Sequence, residues 1–428
     1  MTKNHLHIPD GWYEKTLGDV LKYEQPYKYA VSDTTFSSHS GTPVLTAGKS
    51  FILGYTNEAE NIYLNLPVII FDDFTTDCKF VDFPFKVKSS AMKFLKERNN
   101  CEISLKYIFE VLQTLKLQST GGDHKRRWIS EYSKLKFACP SINEQTRIAQ
   151  ILSTADRAIE QTEALIAKYQ RIKTGLMQDL LTRGIDEHGR IRSEKTHRFK
   201  TEKGLRVPEE WEVRDLGTLC EIKGRIGWQG YTVNDLSDDV SDPIVIGGTQ
   251  ISKEHKLDFT KPVYLKRQKY LEAPEIFVKF GDIVLVKTGN TIGKTALVDE
   301  PIGEATINPN TVILRDFKDI TNRFLYLVMI SEYFQKALWD FVFVGAQPSV
   351  NQTNMKTIKI PLPNPNEQLK ITGTFFALTK QIDAEREKLS KLQTLKTGLM
   401  QDLLSGRVRV SALSEAEGTV KEETFEKQ

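Results

Sequence analysis

The chain has 428 residues, 39% of them hydrophobic, with 59 lysines and arginines against 56 aspartates and glutamates and a formal charge of +3. That length accommodates two or three domains, each with its own core, and the composition is ordinary for a protein that folds in water. The near balance of charge excludes a uniformly basic chain but not a local basic face.

No apolar run approaches the ~18 residues of a membrane span, and Met1 to Asp10 lack the apolar core of a signal peptide. A cytoplasmic protein without a membrane segment is expected. Cys78, Cys101, Cys139 and Cys220 are scattered without CxxC spacing, so they read as reduced thiols rather than a zinc site, and no metal is expected.

Residues 1–140 form a first domain that mixes strand and helix signals. Ile8-Pro9-Asp10-Gly11-Trp12 and Leu17-Gly18 lie at its start. Leu66-Pro67-Val68-Ile69-Ile70-Phe71 is a short apolar run of buried-strand type. Asp72-Asp73 with Asp77 invites a metal reading, but Ile70, Phe71 and Phe74 beside them favour a turn or strand edge. Ser104 to Leu117 has helical periodicity through Leu105, Ile108, Phe109, Leu112 and Leu115. Gly121 to Trp128 then passes from a turn into a basic cluster. Lys125, Arg126 and Arg127 suit phosphate or a base edge, and Trp128 offers a stacking face. A solvated surface loop is the alternative for the same residues.

A long spacer helix is predicted over 141–184. A 4-3 spacing picks out Ile148, Leu152, Ala155, Ile159, Thr162, Ile166, Tyr169, Lys173, Leu176 and Leu180. Apolar groups every 3.5 residues make one stripe that another helix must cover. The segment 185–206 has seven lysines and arginines against four acids, which reads as a solvated charged linker with phosphate contact as a second role.

The second domain, 207–362, begins by repeating the first. Val207-Pro208-Glu209-Glu210-Trp211 and Leu216-Gly217 match the earlier segment at a constant offset of 199. Strand-like runs follow at Pro243–Ile246, Asp282–Val286 and Thr311–Leu314, and one helix is predicted over Asn322–Phe341. Lys223, Arg225, Lys287 and Lys294 recur near turns, with Trp228 near the first two and Asn290 between the last two. Gly345 to Gln352 is an amide-rich loop whose Gln347 and Asn351 have the paired donor and acceptor that an adenine edge requires. Such amides also satisfy their own turns.

A second spacer helix occupies 363–408, ahead of an acidic tail, 409–428, expected to be disordered. Its seam is Ile371, Phe375, Leu378, Ile382, Glu385, Leu389, Leu392, Lys396, Leu399 and Leu403, the first seam displaced by 223. The same offset relates Asn143-Glu144-Gln145 to Asn366-Glu367-Gln368, and Lys173–Leu181 to Lys396–Leu404. An ungapped match of this length is a duplication. Each helix would be roughly 58 Å long at 1.5 Å per residue, and the simplest burial is each against the other. Gly175 and Gly398 cost about 1 kcal/mol each in a helix interior and could interrupt it.

Catalytic patterns are missing. Val284 to Thr295 resembles a strand entering a phosphate loop, but Gly289 and Gly293 enclose too few residues, and the following stretch closes at Pro301 instead of forming a long helix. A turn carrying Lys287, Asn290 and Lys294 towards a DNA backbone fits better. No catalytic residue is assigned.

Two variable domains on two duplicated heptad helices resemble the DNA-specificity subunit of type I restriction-modification enzymes. The resemblance rests on Trp12 with Leu17-Gly18, Trp211 with Leu216-Gly217, and Phe280-Gly281-Asp282-Ile283. It rests also on Gly345 to Gln352 leading into Ile360-Pro361-Leu362-Pro363, on the Asn-Glu-Gln pairs and on the repeated helix ending. Leu66 to Thr76 and His124 to Trp128 are similar to one class of its recognition domains.

The resemblance implies an α+β fold, with two mixed α/β target-recognition domains separated by two long helices that form an antiparallel coiled coil. It implies a non-catalytic subunit that reads a bipartite, asymmetric site in double-stranded DNA. It also implies two methyltransferase subunits and restriction (translocase) subunits as partners. No cofactor is expected on this chain; S-adenosylmethionine, ATP and Mg²⁺ belong to those partners. A coiled-coil scaffold without DNA recognition, and a P-loop-like ATPase or nuclease, are the alternatives.

Overall fold

The computed structural model describes residues 8–33, 35–38, 40–47, 50–115, 127–225, 230–343 and 347–410. They fold into two compact units, one drawn from Met1–Ala164 with Arg386–Gln428, the other from Leu165–Glu385. Two long helices, Ile142–Thr182 of 41 residues and Pro365–Leu404 of 40, each contribute a part to both units.

Neither helix breaks at Gly175 or Gly398. In each unit the two helix segments run antiparallel. In the first, Asp156 pairs with Lys396 and Glu144, earlier on its helix, pairs with Arg409, later on the other strand of chain. In the second, Gln381 donates to the Tyr169 hydroxyl at 2.7 Å, while Lys173 lies over the Phe375 ring.

The seams are buried unevenly. Ile148, Leu152, Ile166, Leu180, Ile371, Phe375, Ile382 and Leu403 are buried, whereas Ile159, Leu176, Leu389 and Leu399 are half-buried. Several of these side chains enter the domain cores: Ile148, Leu152 and Leu403 in the first unit, Leu180, Ile371 and Phe375 in the second. Two of the polar seam positions hold polar partners. Thr162 donates to the Ala158 carbonyl, and Lys396 lies between Asp156 and the buried Glu110.

In the first unit a four-stranded antiparallel sheet runs Leu21–Glu24, Met92–Glu97, Val68–Asp72, Cys78–Val81. Val68–Asp72 is buried throughout because both faces are covered. Period-two alternation sends Ile69, Phe71 and Leu95 towards helix Leu105–Thr114 and the long helices. Val68, Ile70 and Phe94 go instead to a core with Tyr63, Phe85 and Val87. On that side Thr42–Leu45 pairs antiparallel with Ile52–Thr56 and parallel with Lys86–Val87.

The second unit has the same plan. Its sheet runs Glu221–Gly224, Thr311–Arg315, Ile283–Val286, Thr295–Leu297, the same strand order relative to the chain. Ile244–Ile246 pairs antiparallel with Tyr264–Leu265 and parallel with Ala305–Ile307, with Leu236–Ser237 added at the edge. In each unit a two-stranded ribbon closes the domain at the head of a long helix: Tyr13–Thr16 with Lys136–Cys139, and Glu212–Asp215 with Lys359–Leu362.

Two expectations are corrected. Asn322–Phe341 is not one helix but two, Asn322–Ile330 and Glu332–Trp339. Ser331 breaks them because it is extended (ψ 153°) and its hydroxyl caps the second helix by accepting from Phe334 N–H. The segment 185–206 is not simply a solvated linker. Phe199–Glu202 pairs with Leu205–Pro208, and Arg192 is buried on Glu367.

Candidate nucleic-acid interface

In the second unit, strand Ile283–Val286 leaves the sheet at Lys287 and returns as Thr295–Leu297. Gly289 and Gly293 turn the loop with φ of +95° and +89°, a conformation that favours glycine. A strand follows Lys294 where a phosphate loop requires a helix, so the loop closes a hairpin.

A second loop is drawn alongside. Gly289 N–H donates to the Pro348 carbonyl and Val350 N–H to the Lys287 carbonyl, both at 2.9 Å, and Ser349 bridges both Thr288 and Phe343. Lys287, Asn290 and Gln347 therefore meet at one end of the sheet. Asn290 and Gln347 are exposed, and Lys287 is half-buried. Burial pulls the Lys287 ammonium below its ordinary pKa, and it has no hydrogen-bonding or ionic partner among the described residues. Phe343, 75% exposed beside the same loops, adds an apolar contact. Sequence reading missed it because a lone aromatic near a loop has no periodic signal.

Other predicted contacts are committed elsewhere. Lys294 donates to the carbonyls of Gly248 and Ile251, so it pins the 247–251 turn and does not face a phosphate. Arg225 is buried, donates to Thr306 Oγ1 and the Ile307 carbonyl, and lies on the Tyr231 ring. Asn351 accepts from Asn354 N–H at 2.7 Å as the cap of helix Gln352–Lys356. Lys223 pairs with Glu221 at 3.1 Å. Trp228 lies outside the described residues.

In the first unit Lys125 and Arg126 also lie outside the described residues, and Arg127 pairs with Glu131 one turn on. Trp128 is corrected. It is 2% exposed, stands edge-on to Phe71 in the core, and donates its backbone N–H to Asp73, so it offers no stacking face. Asp73 also pairs with Lys93 at 2.9 Å. Asp72 accepts from Phe74 N–H and Thr75 Oγ1, which is a turn. Among the described residues no group of three or more His, Cys, Asp or Glu is placed to hold a metal, and no helix is long and apolar enough to cross a membrane.

The repeated Asn-Glu-Gln heads attach each domain to its helix. Glu144 accepts from Trp12 Nε1 at 3.1 Å, from Arg409 Nε and Nη2 at 2.9 Å each, and from Val410 N–H at 3.4 Å. Burial alone would raise its pKa, but the hydrogen bonds and charge of Arg409, with Trp12, outweigh that and hold it below the usual carboxylate range. Glu367 accepts from Trp211 Nε1 at 3.1 Å, from Ile185 N–H at 2.8 Å and from the guanidinium of Arg192. Gln145 and Gln368 each accept from the N-cap residue of a domain helix, Ser104 N–H at 2.8 Å and Thr321 N–H at 2.7 Å. Each also donates to a proline carbonyl just before its helix, Pro140 or Pro363.

The model of the type I restriction modification DNA specificity domain matches this chain twice, over residues 9–170 and 208–394. The chain belongs to the type I restriction-modification specificity family. It is 30% identical over 405 residues to the specificity subunit of the Escherichia coli EcoR124I/EcoR124II restriction enzyme, covering 91% of this chain and 92% of that one. It is 27% identical over 425 residues to the MjaVIII specificity subunit of Methanocaldococcus jannaschii, covering 96% of each. In fold it is similar to the specificity subunit of M. genitalium, with a TM-score of 0.61 at 15% identity over 94% of this chain and 98% of that one. The specificity subunit thus consists of mixed α/β domains on long helices, and its family's task is recognition of a DNA target.

Proposed function

We propose that this specificity subunit does no chemistry itself and reads a split, asymmetric site in double-stranded DNA, one half with each recognition domain. The observation that carries the reading is the pair of domains with one strand order but different loop residues, each mounted on a copy of one duplicated helix. A shared frame with different loops suits two readers of different half-sites. In the second domain Lys287, Asn290, Gln347 and Phe343 are the proposed contact group. Two methyltransferase subunits are proposed to dock on the long helices and to bring S-adenosylmethionine, and restriction subunits to bring ATP and Mg²⁺.

The test is domain exchange. The complex is reconstituted with its methyltransferase partner, residues 13–140 are replaced by those of a subunit with a different target, and methylated adenines are mapped by sequencing. One half-site should change and the other should stay. A change in both halves, or in neither, rejects the two-reader assignment. A duplex preference that vanishes against scrambled competitors at every salt concentration would favour a scaffold.

A further inference from the structure

We propose that Glu144 and Glu367 are positioning residues. Each carboxylate sets the angle at which one recognition domain stands on the long-helix segment of its own unit, and thereby the spacing of half-sites that the subunit accepts. The inference rests on the two-reader function above.

The burial of these carboxylates demands that they be fully satisfied. Glu144 is 5% exposed and Glu367 4% exposed, and an uncompensated charge at such a place is strongly destabilising. Each is satisfied by donors from separate stretches of chain: the tryptophan that opens the domain, and an arginine and a backbone N–H that follow a long helix. The two arginines close the same short motif, Gly189-Arg190-Ile191-Arg192 and Gly406-Arg407-Val408-Arg409, at an offset of 217 where the helices have 223. Arg192 lies in the connector, just after the Ile185–Ile191 bridge, while Arg409 follows the second helix after a tight turn at Gly406. The same charge-assisted pairing is thus repeated with the helices, on connections of different length.

Directionality distinguishes this contact from the core beside it. Apolar burial holds a domain on a helix but is non-directional. A guanidinium on a carboxylate is planar and forked, and so fixes an angle as well as a distance. The next residue adds a second point of attachment. Gln145 reaches the N-cap of helix Leu105–Thr114, and Gln368 that of Asn322–Ile330. One attachment would leave a domain free to swivel; two at successive positions of the helix head do not. A domain that turns as a body on this pivot carries its reading loops with it, so a loss of angular control there shifts them over the DNA.

Loosening a clamp should therefore widen gap tolerance without changing the bases read. The experiment uses the complete complex with its methyltransferase partner and a set of duplexes in which both half-sites are constant while the gap is shortened or lengthened by one base pair. Glu144→Ala and Glu367→Ala should each reduce the preference for the parental gap about tenfold or more, the discrimination carried by ~1.4 kcal/mol, with the same adenines methylated. Arg409→Lys and Arg192→Lys keep the charge but lose the fork. They should widen the gap in the same direction and less, and they serve if an alanine variant fails to assemble. Loss of methylation at every gap in proportion to lost complex, with gap preference unchanged in all four variants, would reduce the clamps to fold stabilisers and overturn the inference. Wild-type complex that shows no gap preference would instead overturn the two-reader function.

Discussion

Truncating Ile148 or Ile371 to alanine tests whether the duplicated helices serve two separate cores. The residues are equivalent in the repeat, and both are 0% exposed. Ile148 belongs to the core that holds Ile69, Ile108 and Trp128, whereas Ile371 belongs to the core that holds Leu285, Phe324 and Trp211. Alanine removes three carbon groups, about 2.4 kcal/mol at ~0.8 kcal/mol each, and a cavity cost brings the expected loss to about 3–4 kcal/mol. For a unit of this size that is a fall in Tm of roughly 10 °C. Amide hydrogen exchange on the intact chain reads each core. Ile148→Ala should accelerate exchange in Val68–Asp72 and Met92–Glu97 and leave Ile283–Val286 near wild type; Ile371→Ala should do the reverse. Equal acceleration of both sheets by either variant would refute the assignment of the two helix heads to independent cores.

Other outcomes follow from single contacts. Gly18→Ala should destabilise the first domain because its Cβ would lie 2.9 Å from the Ser133 carbonyl oxygen, a backbone atom that cannot step aside; an unchanged denaturation midpoint would count against the close approach. Ser331→Ala should cost about 1 kcal/mol by removing the cap of Glu332–Trp339, measured by urea unfolding. Glu110 is fully buried, and burial raises its pKa against the opposing pull of Lys396, while Asp156 adds to the rise and Lys106 lowers it. A raised folded pKa means that its contribution is present below the unfolded value and is lost as pH rises through the folded one. Glu110→Gln should therefore stabilise the protein most at neutral to alkaline pH, with Lys396 still paired to Asp156; a variant less stable than wild type at pH 8 would contradict this. Glu144, lowered, has the opposite dependence: its contribution is present above the ordinary carboxylate pKa and is lost as pH falls through the folded value, so Glu144→Gln should flatten the acid limb of stability measured against pH.

The long helices, their equivalence and the heads of both domains are legible in the amino-acid sequence, because heptad spacing and a duplicated ending are properties of residues close together in the chain. So are the short buried strands and the turn at Asp72-Asp73. The likeness of the two domains is not. Their interiors share little sequence, yet both sheets have one strand order, because strand pairing asks only for alternating burial, which many sequences supply. Tertiary structure also decided which basic and aromatic side chains remain available. Trp128 and Arg225 read as surface groups until distant strands cover them, and Lys294 until the carbonyls of Gly248 and Ile251 reach its ammonium. The same long-range closure brings Lys287 beside Gln347 and seats Glu144 and Glu367 between a tryptophan and an arginine remote in sequence. Local spacing fixes which face of a helix is apolar; only the folded chain determines what meets that face and which charges are left for DNA.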